Sequence, residues 1–219
     1  MLKLTNISQL VSYQSASDTV QTMSNIEILI EKETIQEIGP TVNNADEIVD
    51  CSGRLVTPGF VDPHTHPVFY KGREEEYTMR LAGASYQEIA KNGGGILSSI
   101  KDVRNASEDD LVERVKKRMT RFIKLGTTTV EAKSGYGLDT ESELKSLRVL
   151  NRVNCDHPID IIPTFLGAHA FPPEFSDDPD GYVDLLCDEM IPAVGEQGIA
   201  QYCDVFCEKG YFSVEQSRR

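Results

Sequence analysis

From about residue 57 onward the chain alternates short apolar strands with amphipathic helices, and this alternation constrains its fold more than any other feature. A strand is expected over about 59–66, with helical stretches near 73–82 and 85–91. A long amphipathic helix is expected over about 108–124, with Ser107 as cap, Leu111, Val115, Met119 and Phe122 as apolar stripe and Gly126 as stop. The strand Thr127–Ala132 follows, then a helix opened by Thr140 and Glu143, then a strand from Ile159 to Leu166. A Pro- and Asp-rich loop at 172–181 leads to a helix through Tyr182, Leu185, Leu186 and Met190. A strand near Tyr202–Phe206 and a helix cap at Ser213 complete the pattern. Strands separated by helices pair in parallel through right-handed crossovers. Roughly 160 residues are available for these four units, against roughly 250 for a complete eight-fold barrel. An open doubly wound sheet fits that length, but it carries a Gly-rich phosphate turn after its first strand, where this chain has His64-Thr65-His66.

Residues 1–56 follow a different grammar. Asn25 to Ile30 alternates, a polar turn at Glu31-Lys32-Glu33 follows, and Thr34 to Ile38 alternates again before Gly39-Pro40. That is a hairpin closed by breakers, and Glu47 to Asp50 and Leu55-Val56 add further short strands. The expected division is therefore an all-β segment over 1–56 and an α/β segment over 57–219.

The 219 residues carry 22 Lys and Arg against 35 Asp and Glu, a net charge of −13. No basic patch offsets it, so neither nucleic acid nor an anionic membrane is an expected partner. No run of uncharged apolar residues is long enough to span a bilayer, and the start MLKLTNISQLV has no basic leader with an apolar core. Five scattered cysteines, an odd number, read as reduced thiols and a cytoplasmic location. Cys203 and Cys207 are expected to be buried as small apolar groups.

Chemistry concentrates at strand ends. His64 and His66 are two residues apart, so on a strand both imidazoles face one way, about 6–7 Å apart at Cα. Two imidazoles on one face can grip one divalent cation, and the C-terminal ends of βα strands are where such folds place their sites. A pair of surface histidines would carry the same spacing. After the next strand, Gly135 and Gly137 allow a sharp turn that exposes Tyr136 at the same rim. Glu131 and Lys133 share a face and either pair or leave Lys133 as a modified metal bridge. His169 ends a third strand, whereas His157 precedes it and is expected to lie in solvent at the opposite end. Arg73 offers a planar fork suited to a carboxylate. Gly93-Gly94-Gly95 lacks the Lys-Ser/Thr of a nucleotide loop and reads as a lid or helix break.

These stretches resemble the imidazolonepropionase family of the amidohydrolase superfamily. VTPGFVDPHTHPVF marks the superfamily, while Lys133-Ser134-Gly135-Tyr136-Gly137-Leu138, Leu166-Gly167-Ala168-His169 and Phe212-Ser213-Val214-Glu215-Gln216-Ser217-Arg218-Arg219 mark the family. The resemblance implies the first half of a (β/α)8 barrel preceded by part of a small β-sandwich. It implies hydrolysis of 4-imidazolone-5-propanoate to N-formimidoyl-L-glutamate, with one zinc or iron ion and a homodimer. His64 and His66 look like metal ligands. Arg73, Tyr136, His169 and Tyr86 look like substrate contacts, with His169 also catalytic; in chemical terms His169 and Tyr136 could donate hydrogen bonds to ring or carboxylate oxygens. The family's other metal ligands and its acid/base glutamate lie on later strands, and Glu208 and Glu215 do not replace them by motif. The resemblance therefore makes this chain the front portion of a longer enzyme, inactive and poorly stable alone. Two alternatives stay open: a two-metal hydantoinase- or dihydroorotase-like enzyme bridged by a carbamylated Lys133, and a ligand-binding fragment without turnover.

Overall fold

The structure, a computed structural model, describes residues 1–84 and 94–219. The helical stretch expected at 85–91, together with Tyr86 and Gly93, lies outside the described residues. Two compact units result, Met1–Gly59 and Phe60–Arg219.

The first unit is all β. Strands β1 (Leu2–Ile7), β2 (Gln9–Gln14), β3 (Thr19–Met23), β4 (Ile26–Glu31), β5 (Thr34–Gly39), β6 (Glu47–Asp50) and β7 (Leu55–Val56) form two sheets, ordered β5-β4-β1-β6 and β3-β2-β7. The expected hairpin is β4–β5. Ile7, Leu10, Ile28 and Cys51 form the small core, with Leu4, Met23 and Val56 packed on it. The buried Lys3 ammonium is held by Glu27 at 2.8 Å and by the Val42 carbonyl at 3.2 Å, which satisfies a charge that burial alone would penalise.

The second unit is built on four parallel strands, β8 (Phe60–Thr65), β9 (Thr127–Lys133), β10 (Asp160–Ala168) and β11 (Tyr202–Val205). They lie side by side in sequence order. A doubly wound sheet reverses its strand order at a switch point; an unreversed run is a segment of barrel wall. Its outer strands are uncovered, with Phe60 58% and Tyr202 63% exposed.

Helices α1 (Glu74–Leu81), α2 (Ile96–Asn105) and α3 (Glu108–Lys124) follow β8, and α4 (Thr140–Asp156) follows β9. After β10 come α5 (Pro179–Leu185), a π-helical turn (Leu186–Met190) and α6 (Ile191–Gln197), while α7 (Val214–Arg218) follows β11. Ser107 caps α3 as expected, its hydroxyl accepting the Asp110 N–H at 3.1 Å. Leu111, Val115 and Met119 are fully buried against a core that includes Val130, Leu147 and Leu150. The π turn sits immediately before Pro192, which has no N–H to continue the α ladder.

Four local expectations change. Helix α2 is an element that the sequence reading does not include; its Ile96, Ile100 and Val103 stripe is the helical signal, and Ile100 and Val103 are buried. Helix α4 is capped by Asp139, whose carboxylate accepts the Ser142 N–H at 2.8 Å, rather than by Thr140, because Glu143 turns inward. Cys203 and Cys207 are exposed, since β11 is the last strand of its sheet and has no covering neighbour. His157 is half-buried rather than solvent-exposed: its Nε2–H donates to Thr120 Oγ1 at 3.2 Å and its Nδ1 accepts the Ile159 N–H at 3.3 Å.

Protonating His157 Nδ1 would set two protons against each other. Burial first, and the Lys116 charge second, hold its pKa below the ordinary value. The unfolded chain therefore takes up this proton first as pH falls. The stabilisation is present above the unfolded value of about 6.5 and is lost on acidification. Urea unfolding should show a loss of up to about 1 kcal/mol from this group between pH 7 and 5, and His157→Gln should remove that part of the slope. An unchanged slope in the variant would place the pH dependence elsewhere.

Candidate metal and substrate site

Strand pleating decides the first contact. Thr65 turns inward and its hydroxyl donates to the Glu131 carbonyl at 2.6 Å, locking β8 to β9. His64 and His66 therefore project from the other face, and their Nε2 atoms lie 3.2 Å apart. The glycine turn after β9 brings Tyr136 to within 5.9 Å of the His66 ring, centroid to centroid. His169, at the end of β10, stacks on His66 at 4.9 Å and lies 5.2 Å from Tyr136. Three strand ends thus deliver His64, His66, Tyr136 and His169 to one cluster.

Arg73 precedes α1 and does not join the ring cluster. It lines a cavity of about 400 Å³ with Tyr136, Phe69, Lys71 and Tyr77. Its guanidinium is 3.9 Å from Glu76, a loose pair. Tyr86 lies outside the described residues. Lys71, not singled out in the sequence, adds a second cation to the same wall.

The electrostatics favour neutral imidazoles. Burial, reinforced by the charges of His169, His64 and Lys133, pushes the His66 pKa down to about 4. Burial also lowers that of His169, against the opposing pull of its hydrogen bond to Gly135. The Gly135 carbonyl can only accept, so His169 Nδ1 must carry the proton in its 2.7 Å contact. A neutral ring protonated at Nδ1 keeps Nε2 as an acceptor.

Lys133 is buried between Glu131 at 2.7 Å and Asp204 at 2.9 Å. Burial works against its charge, but the two carboxylates prevail and raise its pKa. Of the two readings of Glu131 and Lys133, the structure shows the ion pair, so the two-metal alternative finds its bridging lysine already engaged.

Two imidazoles on a tetrahedral ion with bonds of about 2.0–2.1 Å place their nitrogens roughly 3.3 Å apart. The 3.2 Å separation matches that bite, and the buried Nδ1 of His66 has no hydrogen-bond partner among the described residues. The donor set fits a divalent cation. Among the described residues no group of three or more His, Cys, Asp or Glu side chains is placed to hold one ion.

Two further residues organise the site. Glu143 accepts the backbone N–H groups of Gly135, Gly137 and Leu138. Arg118 donates to the carbonyls of Pro67 and Phe69, just past His66. The signal for Glu143 was a charge on the apolar stripe of α4, one turn before Leu147.

Solved structures share this arrangement of sheets and helices. A triazine hydrolase from Arthrobacter aurescens superimposes with a TM-score of 0.64 at 13% identity, covering 98% of this chain and 48% of its own. Atrazine chlorohydrolase from Arthrobacter aurescens TC1, in a structure complexed with zinc, gives 0.56 at 14% identity over 99% and 49%. The fold is that of an amidohydrolase: the first half of a (β/α)8 barrel with part of a β-sandwich before it. No family model matches the chain. Curated imidazolonepropionases do: that of Syntrophobacter fumaroxidans is 56% identical over 181 residues, covering 83% of this chain and 43% of the relative. That of Geobacillus kaustophilus is 50% identical over 206 residues, covering 90% and 49%. The chain belongs to the imidazolonepropionase family, of which it matches the N-terminal portion. It spans about half the length of the curated relatives it matches.

Proposed function

We propose that this chain contributes the first metal ligands and the substrate-facing rim of an enzyme that hydrolyses the imidazolone ring of 4-imidazolone-5-propanoate to N-formimidoyl-L-glutamate in histidine degradation. The observation that carries this reading is the convergence of the His64 and His66 imidazoles at the spacing of a shared cation, beside Tyr136 and His169. The names of the relatives support the substrate, and the zinc in the atrazine chlorohydrolase structure supports zinc, with iron as the alternative ion. His64 and His66 would hold the ion, which when bound polarises a carbonyl and lowers the pKa of water to roughly 7.

The remaining roles belong to the chain's own groups. Arg73 takes the propanoate carboxylate in its planar fork, with Lys71 adding positive potential on the same cavity wall. Tyr136, on that wall and against both histidine rings, orients the ring of the substrate. His169 accepts a ring N–H, or a proton, at Nε2 while Nδ1 stays committed to Gly135. Five unpaired thiols support a cytoplasmic setting. No helix among the described residues is long and apolar enough to cross a membrane.

Cobalt(II) titration followed by absorption, with metal analysis, tests the site; turnover of 4-imidazolone-5-propanoate tests the reaction. One ion per chain and ring opening in the enzyme that contains this chain are expected. Two ions per chain would return the two-metal reading, and substrate binding without turnover would make this a ligand-binding protein.

A further inference from the structure

We infer that Glu143 is a positioning residue: through the backbone of Gly135 it fixes the hydrogen-bonding direction of His169 and the placement of Tyr136. This inference rests on the reading of Tyr136 and His169 as substrate contacts.

Glu143 is fully buried, on a helix face that also buries Ser146, Leu147, Leu150 and Val153. A carboxylate there is tolerated only if its lone pairs are filled. One oxygen accepts the N–H groups of Gly137 and Leu138 at 2.8 and 2.9 Å, and the other accepts that of Gly135 at 2.9 Å. The Ser134 hydroxyl adds a fourth donor while itself accepting the Leu166 N–H at 3.0 Å, which ties the loop to β10. Arg104 fills the complementary half: its guanidinium donates to the carbonyls of Gly137 and Leu138 at 2.7 and 3.1 Å. A buried carboxyl thus gathers the loop's N–H groups and a guanidinium gathers its carbonyls. Tyr136 is presented from the segment between them.

Gly135 is the joint of the device. Its N–H points to Glu143 and its carbonyl receives His169 Nδ1–H. Serving both requires φ +100°, and a Cβ there would come within 2.8 Å of the Leu166 carbonyl. If Gly135 rotates, its carbonyl leaves His169. The ring is then free to move its proton to Nε2, which turns the proposed acceptor into a donor.

The test uses the metal-free, substrate-free form of the enzyme that contains this chain, so its outcome is independent of the hydrolysis and cobalt assays that test the function. Two-bond proton–nitrogen spectra of the histidine rings, with His169 assigned through His169→Gln, report the tautomer directly. Wild type should show His169 as a single Nδ1–H form. Glu143→Gln, whose amide turns a donor toward the backbone N–H groups, should give mixed tautomers and at least tenfold faster exchange of the Nδ1 proton. Gly135→Ala should do the same with Glu143 in place. Leu150→Ala, which loosens the same helix without touching the loop, should keep the wild-type signature. Glu143→Asp, too short to reach all three N–H groups, is the second variant if Gln does not fold. In wild type, warming should release the Gly135 amide and the His169 Nδ1 proton together. A single Nδ1–H form in a folded Glu143 variant, equal loss in Leu150→Ala, or uncoupled release of the two protons overturns the inference.

Discussion

Replacing His66 with alanine is expected to abolish metal uptake and to leave the fold intact. His66 is the more enclosed of the paired histidines, and its ring is what His64, Tyr136 and His169 all pack against. Loss of a group that merely hydrogen-bonds a metal ligand weakens metal sites about 10–100-fold. Loss of a direct ligand from a pair should exceed that, so equilibrium dialysis against zinc or cobalt should show affinity reduced by more than about 100-fold. His157→Ala, at the opposite end of β10, should bind metal as wild type does. Unchanged metal content in His66→Ala would remove the site from this pair of residues and the proposed reaction with it.

The second large effect is expected at Arg118. Its Nη1 donates to the Pro67 and Phe69 carbonyls at 2.9 and 2.8 Å, and its Cζ lies 3.4 Å from the Phe69 ring centroid. Burial, with Arg114 nearby, brings its pKa down to about 10, which still leaves it charged at neutral pH. Arg118→Met keeps the chain length but removes both donors and the cation over the ring. With about 1–3 kcal/mol for each unsatisfied buried group and about 0.5–2 for the cation–π contact, the loss should be roughly 3 kcal/mol. At about 2–4 °C per kcal/mol, the melting temperature should fall by about 10 °C. The anchored turn begins one residue after His66, so metal affinity should fall by about tenfold in the same variant. Arg118→Lys, with one compact ammonium in place of the fork, should be intermediate. Normal melting of Arg118→Met would show that the turn holds itself.

What could be read in advance depended on how local the causes were. The Ser107 cap, the Leu111-Val115-Met119 stripe and the facing of His64 with His66 follow from periodicity within a few residues, and all three stand in the structure. Helix α2 was hidden because its stripe is only three residues deep and follows a glycine run. Asp139 displaced Thr140 as the cap because Glu143 is engaged by a loop folded back over the helix, which no helix rule anticipates. The exposure of Cys203 depends on β11 being the last strand of its sheet, a matter of topology. Arg118 lies beside Met119 on α3, where a charge is ordinary; its value arises 49 residues away in sequence, at the Phe69 carbonyl.

The clamp on residues 134–138 also restricts how this rim could be redesigned. Glu143 reaches three turn amides, those of Gly135, Gly137 and Leu138, from a fixed point on α4, so one inserted or deleted residue between Ser134 and Asp139 would put them out of register at once. Variation in ligand preference here has to come from exchanging side chains, Tyr136 foremost, at constant spacing.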